Sequence, residues 1–227
     1  MEHHQQRHLL GAEERRLMLS RGRHTGFTMI ELMVAVTIVA IGLALAAPSM
    51  SAMLQNSKLT SAARSYYAGV QTARSEAIRR NLQVEFVLTS SVVTTANIAN
   101  VVAPNAGGQN WLVRAASGPA GTSYSLVEVK SGGDGANQAT GAPSVSISGA
   151  PVAPATAFDG TIAFNGFGEV VGGNAYDLTV SNPAGGACAS TGGPMRCLRI
   201  RVAPGGQLQL CDPAVAVSAT GDSRRCV

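Results

Sequence analysis

The sequence predicts an α+β fold in which one long N-terminal α-helix packs on an antiparallel β-sheet. Three observations support this prediction. An apolar run of membrane length covers residues 27–47, an amphipathic helical pattern follows it, and short strand-like runs separated by Gly, Pro and Asn fill the rest of the chain. The chain therefore divides into a polar leader (1–26), a membrane or assembly helix (27–48), an amphipathic helix (49–81) and a β-rich domain (82–227).

The composition favours an exported β-rich domain over a cytosolic enzyme. Charged residues make up 13% of the 227 residues and aromatic residues 4%, while Gly, Ala, Ser, Thr and Val are abundant. The formal net charge of +4 falls to +2 when residues 1–26 are left out. A charge this small does not by itself indicate nucleic-acid binding.

The apolar run has the length of one bilayer crossing and contains a single ionisable residue, Glu31. At about 1.5 Å per residue, a helix over this run spans roughly 30 Å, the thickness of the hydrocarbon core. Arg21 and Arg23 precede the run and place that end in the cytoplasm by the positive-inside rule. A carboxylate in lipid is costly, so we expect Glu31 either to pair with a cation or to lie at the cytoplasmic interface.

Gly26 lies directly before the apolar run, whereas a secretory signal has its apolar region before the cleavage site. Cleavage after Gly26 would leave the apolar helix on the mature chain; the alternative is an uncleaved N-terminal anchor. Gly26-Phe27-Thr28-Met29-Ile30-Glu31 ahead of an apolar helix resembles the processing site of type IV pilins and pseudopilins. The resemblance implies that prepilin peptidase cuts after Gly26, that Phe27 is N-methylated, and that Glu31 pairs with the Phe27 amine of a neighbouring pilin. In apolar surroundings such a pair would fix the axial register between subunits.

Beyond the apolar run, Pro48 either opens a short section of one long helix or begins a second helix. The resemblance implies the first alternative, with the section melting when subunits pack into a filament. From residue 49 onward, apolar residues recur at steps of three and four and predict a face buried on the sheet. That face holds Leu59, Ala63, Tyr66, Val70, Ala73 and Ala77. The opposite face is expected to be solvated and holds Lys58, Arg64, Gln71, Arg74, Arg79 and Arg80.

After residue 81 the pattern predicts short strands joined by surface loops. The strand candidates are Gln83–Leu88, Asn110–Ala115, Tyr124–Lys130, Val145–Ser148, Thr161–Phe164, Glu169–Val171, Tyr176–Ser181, Arg196–Val202 and Gly206–Cys211. A hairpin turn is predicted at residues 165–168, and Trp111, the sole tryptophan, is assigned to the core. Segments 103–109, 131–143 and 183–194 are predicted to be surface loops.

All four cysteines lie near the C-terminal end and predict two disulfides formed in an oxidising compartment. Three pairings are open; we favour Cys188–Cys197 with Cys211–Cys226 because both close short loops. All His residues lie in the leader, so we expect no metal site, no cofactor and no Ser-His-Asp or Cys-His catalytic system. These observations predict a protein that is not an enzyme.

Two further stretches resemble the GspH/FimT branch of the pilin superfamily: Ala-Arg-Ser-Glu-Ala-Ile-Arg-Arg-Asn at 73–81 and Leu-Gln-Leu-Cys-Asp-Pro at 208–213. The resemblance is to minor pilins of the FimT/FimU kind, some of which bind DNA through a Gly-Arg-x-Arg motif before Cys-Asp-Pro. Here Gly206-Gln207-Leu208-Gln209 stands in that place, and glutamine cannot neutralise phosphate. A substitute DNA-contacting patch would consist of Arg199, Arg201, Arg224 and Arg225.

Three functions follow as expectations. The first is a minor type IV pilin that crosses the inner membrane once, exposes its globular domain to the periplasm and, after processing, primes or caps the pilus. Its partners would be other pilins, contacted through the N-terminal helix, and prepilin peptidase. The alternatives are a pseudopilin of a type II secretion system and a DNA-binding minor pilin at the pilus tip that serves natural transformation.

Overall fold

A computed structural model describes residues 26–91, 93, 103–117, 123–130, 145–153 and 157–227, without the side chains of residues 46–49. The predicted leader, apart from Gly26, and the predicted loop at 131–143 lie outside the described residues. The chain divides into two compact units, Met1–Leu45 and Ala46–Val227, and each is described by itself.

Helix α1 covers Met29–Arg80, so both predicted helical segments are present. It begins after Thr28, whose Oγ1 accepts a hydrogen bond from the N–H of Glu31 at 3.2 Å and so acts as an N-cap. The helix ends at Arg80, next to the predicted boundary at residue 81. Asn81 has a left-handed φ of 51°, and the N–H of Leu82 donates to the Ala77 carbonyl at 3.3 Å. This arrangement ends a helix because it satisfies the last free carbonyl groups.

The backbone of α1 is helical through Pro48, and the prediction that this proline opens a section during assembly is untested. Residues 46–49 separate two helical segments, Met29–Leu45 and Met50–Arg80. Neither segment alone is both long and apolar enough to cross a bilayer, whereas the two together have sufficient length and a suitable composition.

In the described part of the chain, eight antiparallel strands follow the helix. They are β1 (Val84–Thr89), β2 (Asn110–Ala116), β3 (Tyr124–Lys130), β4 (Ser146–Val152), β5 (Thr161–Phe164), β6 (Ala175–Ser181), β7 (Leu198–Val202) and β8 (Leu208–Cys211). They form two four-stranded sheets, in the orders β3-β2-β1-β5 and β4-β6-β7-β8. The predicted α+β fold, a long helix followed by antiparallel β-structure, is confirmed, except that the strands form two sheets instead of one. The number of sheets depends on pairing between distant residues, which periodicity within a strand does not encode.

Eight of the predicted strands are present, two with the predicted ends (Tyr124–Lys130 and Thr161–Phe164) and six with shifted ends. The ninth, Glu169–Val171, is not a strand. Within it, Val170 makes one isolated bridge to Phe164. The preceding turn, predicted at 165–168, is present: Asn165 Oδ1 accepts the N–H groups of Phe167 and Glu169 at 2.9 and 3.0 Å. Gly172 then adopts a positive φ of 83° and turns the chain away, so no further residue pairs follow the bridge between Val170 and Phe164.

The predicted apolar face of α1 is buried, as expected. Within it, the hydroxyl of Tyr66 donates to the Gln109 carbonyl at 2.7 Å, and burial raises the pKa of this phenol to about 12. The opposite face is not solvated throughout. Arg74 is half-buried, and its Nε donates to the Gly168 carbonyl at 3.0 Å, which fastens the helix to the 165–168 turn.

Trp111 lies in the core, as predicted, and is 3% exposed. Its indole packs against Gly69 of α1: a Cβ at that position would lie 2.8 Å from the ring carbon Cζ3. On the sheet, the ring centroid of Phe86 lies 5.8 Å from that of Trp111. The close approach of helix to sheet at this point therefore requires a residue without a side chain.

Gly69→Ala is expected to destabilise the protein by roughly 1–3 kcal/mol through this overlap, although alanine is the better helix former by about 1 kcal/mol. Urea denaturation, followed by Trp111 fluorescence, measures the change. Combining Gly69→Ala with Trp111→Phe, followed by circular dichroism, should cost less than the two single changes added together. A Gly69→Ala protein more stable than the parent would contradict the packing argument.

A buried polar cluster lies on β1 and β2. Its side chains alternate along each strand with those that face the main core, so the cluster lies on the opposite face of the sheet. Arg114 Nε lies 2.8 Å from Glu85 Oε2, and the two residues are 9% and 5% exposed. The Tyr124 hydroxyl and the Gln83 side-chain amide both donate to Glu85 Oε1 at 3.0 Å. The carboxylate thus has partners on both oxygens, which a buried charge requires.

Candidate assembly and binding sites

The N-terminal segment places Gly26 and Phe27 outside the helix and Glu31 in its first turn. Thr28 provides the first helical acceptor, because its carbonyl oxygen binds the N–H of Leu32 at 3.1 Å. Phe27 is 83% exposed. An amine released at Phe27 would therefore be free of helix hydrogen bonding and available to a carboxylate.

The first unit exposes apolar side chains on every side of the helix. Each of its large hydrophobic residues from position 29 to 45 is more than half exposed: Met29, Ile30, Leu32, Met33, Val34, Val36, Ile38, Val39, Ile41, Leu43 and Leu45. A helix that is apolar all round is stable only inside lipid or among other helices. Glu31 borders a shallow surface formed by Ile30, Val34 and Ile38. A lipid or helix that packs on these apolar side chains would therefore also cover the Glu31 carboxylate.

Two of the four predicted patch arginines are brought together on β7. Arg199 and Arg201 point to the same face of the sheet, as alternation predicts, and both approach Asp177 of β6. Arg201 makes two bonds to Asp177, Nε–Oδ1 at 2.8 Å and Nη2–Oδ2 at 2.9 Å, and its Nη1 donates to a main-chain oxygen of Val227 at 2.7 Å. Asp177 raises the pKa of Arg201 through these hydrogen bonds.

The other two arginines bind within the C-terminal segment. Arg224 pairs with Asp222 at 2.6 Å, which lowers the pKa of that carboxyl to about 2. Arg225 Nη1 donates to the Val217 carbonyl at 3.0 Å. The four arginines therefore do not form one uniform basic surface, since Asp177 and Asp222 neutralise part of their charge. The sequence gives no signal for Asp177, which reaches Arg201 only through the register of β6 and β7.

The disulfides have the favoured pairing, Cys188–Cys197 and Cys211–Cys226, with Cα–Cα distances of 5.4 and 5.1 Å. The first closes a loop that contains a short 3-10 turn at Ala189–Thr191. The second fastens the C-terminal segment to β8, where the Gln209 amide also donates to the Arg225 carbonyl at 2.9 Å. Among the described residues, no group of three His, Cys, Asp or Glu side chains could hold a metal ion.

Two family models match parts of the chain. Residues 21–47 match the prokaryotic N-terminal methylation motif, and residues 62–206 match the family described as type II transport protein GspH. A search of curated protein sequences returned no match.

Among solved structures, the chain is similar to the type IV minor pilin FimU of Pseudomonas aeruginosa, with 14% identity and a TM-score of 0.48 over 72% of this chain and 96% of that one. It is also similar to the minor pseudopilin EpsH of the Vibrio cholerae type 2 secretion system, with 14% identity and a TM-score of 0.43 over 70% of this chain and 99% of that one.

The GspH match covers well over half of the chain, and the methylation motif covers the segment around Gly26, Phe27 and Glu31. Type IV pilin-like proteins are anchored in the inner membrane by an N-terminal hydrophobic helix and assemble with other pilins. The chain therefore belongs to the GspH family and is a minor pilin or pseudopilin with an N-terminal methylation motif.

Proposed function

We propose that the chain is a minor type IV pilin, cleaved by prepilin peptidase after Gly26 and incorporated into the pilus through its N-terminal helix. The observation that carries the proposal is the first unit of the structure. Its exposed apolar helix has one carboxylate in the first turn and begins two residues after Phe27, within the segment that matches the methylation motif. Such a surface needs lipid before assembly and other helices after it.

The proposed topology is a single crossing of the inner membrane with residues 49–227 in the periplasm. The two disulfides support an oxidising compartment for this part of the chain. We assign the subunit a structural role without enzymatic activity or a cofactor, because assembly through the helix accounts for the charged and apolar features of the first unit.

The alternative is a pseudopilin of a type II secretion system, and the GspH family description supports it directly. Deletion of the gene distinguishes the two functions. Loss of surface pili with normal export of secreted proteins would support the pilin, whereas normal pili with impaired export would support the pseudopilin. DNA binding at the pilus tip stays a prediction, and it receives less support because the patch arginines have acidic or carbonyl partners.

Mass spectrometry of the protein purified from membranes tests the processing step. We expect a mature N-terminus at Phe27 that carries one added methyl group. Gly26→Val should abolish processing, because a β-branched side chain replaces the glycine at the cleavage point, whereas Gly22→Val, four residues earlier in the leader, should be processed normally. Native protein that begins at Met1 would contradict the proposal.

A further inference from the structure

A groove with a volume of about 470 Å³ lies between the two disulfide-closed loops of the second unit. One wall comes from Ser190, in the loop closed by Cys188–Cys197. The other comes from Pro213, Val215 and Val217, in the loop closed by Cys211–Cys226. The volume falls within the range of small-ligand pockets, roughly 300–1,000 Å³. Both walls are covalently tied, so the groove is largely formed before any ligand arrives.

Arg199 and Arg201 also line the groove, and their hydrogen-bonding states differ. Each of the three guanidinium nitrogens of Arg201 makes a hydrogen bond, two of them to the Asp177 oxygens and one to the main-chain oxygen of Val227. Arg199 makes one longer ion pair, with 3.5 Å between its Nη1 and Asp177 Oδ2. Its Nε is buried and meets no acceptor among the described residues. Arg199 is therefore bonded less completely than Arg201. Because its side chain is 32% exposed while the Nε is buried, an external acceptor would bind the Nη nitrogens.

The walls indicate what kind of acceptor fits. A planar guanidinium binds a carboxylate through two parallel hydrogen bonds, and Pro213, Val215 and Val217 provide apolar surface beside it. No aromatic side chain among the described residues lines the groove, so it lacks the stacking surface typical of single-stranded nucleic-acid sites. Asp177 would also repel a chain of phosphates while leaving one net positive charge for a single carboxylate.

We propose that this groove binds an acidic peptide segment of a neighbouring subunit, with an Asp or Glu carboxylate on Arg199 and a flanking apolar side chain against Val215 and Val217. The residues that line the groove all lie in the second unit, and none of them belongs to α1. It would add a side-to-side contact between globular domains. The inference goes beyond the proposed function and holds for a pilus or a secretion pseudopilus alike.

The test uses the full-length protein in detergent micelles with 15N-labelled arginine side chains. The probes are two capped tripeptides, Val-Glu-Val and, as the matched control, Val-Gln-Val. We expect the Glu peptide to shift the Arg199 Nε–Hε resonance saturably, and the Gln peptide to bind at least about tenfold more weakly because a charged hydrogen bond is lost. Arg199→Gln should remove this binding, whereas Arg79→Gln, on an exposed part of α1, should leave it unchanged.

Equal binding of the two peptides would overturn the proposal, because the apolar walls alone would then explain it. Unchanged binding by a folded Arg199→Gln protein, checked by circular dichroism, would also overturn it. A short DNA duplex that binds more tightly than the Glu peptide and loses affinity in Arg199→Gln would assign the groove to nucleic acid instead. None of these results depends on processing at Gly26, so the proposed function is tested separately.

Discussion

A Glu31→Ala subunit is expected to be processed normally and to enter the filament roughly 100- to 1,000-fold less than the parent. Removing one partner of a buried ion pair costs about 3–5 kcal/mol, because the other charge is left alone in apolar surroundings. The start of the helix should not change, since Thr28 caps the main-chain N–H of residue 31, which alanine keeps. Quantitative immunoblots of sheared filaments and of membranes measure the ratio.

Glu76→Ala provides the matched control on the same helix. Glu76 forms exposed pairs with Arg79 at 2.6 Å and Arg80 at 2.7 Å. Their hydrogen bonds lower its pKa to about 2, so it is charged at any working pH. Exposed pairs of this kind contribute about 1 kcal/mol at most, and incorporation should be unaffected. Normal incorporation of Glu31→Ala would instead favour a carboxylate that lies at the cytoplasmic interface and has no role in register.

Glu85→Ala is expected to lower the free energy of unfolding by about 3–5 kcal/mol, the largest stability loss that we predict for a single side chain. The change leaves the guanidinium of Arg114 buried without its carboxylate and removes the acceptor of the Tyr124 hydroxyl. For a domain of this size, thermal denaturation should show a fall in Tm of roughly 10 °C. Glu76→Ala is again the control and should stay close to the parent.

A double variant separates an unpaired charge from a simple loss of packing. Glu85→Leu with Arg114→Met removes both charges, and we expect it to recover much of the stability that Glu85→Ala loses, because well-packed apolar residues replace a buried pair at little cost. A double variant as unstable as Glu85→Ala would show that the loss of the carboxylate beside the buried guanidinium is not the cause.

The features predicted correctly are those encoded locally. The apolar face of α1 is read from steps of three and four residues, and the spacing is a direct consequence of helix geometry. The turn at 165–168 follows from Asn165 and the glycines beside it. The disulfide pairing favoured from sequence is present because each bridge joins residues close along the chain, 9 and 15 positions apart.

The missed features depend on residues that are distant along the chain. Ser146 pairs with Ser181 across β4 and β6, and this pairing places β4 in a second sheet. Glu85 and Arg114 are brought opposite each other by the register of β1 and β2. Neither pairing leaves a pattern within its own segment, so hydrophobic alternation predicts the strands without predicting their partners.

By itself, the sequence determined the features on which the proposed assembly role depends: the segment around Gly26 and Phe27, the apolar helix and the carboxylate of Glu31, all set by chemistry within a few residues. Tertiary structure alone decided which hydrogen-bond partners Arg199 and Arg201 have. Pairing of β6 with β7 brings Asp177 to Arg201 and leaves Arg199 under-bonded in a groove between two disulfide loops. The physical reason is that the surroundings of a charge depend on side chains that only folding brings within hydrogen-bonding distance.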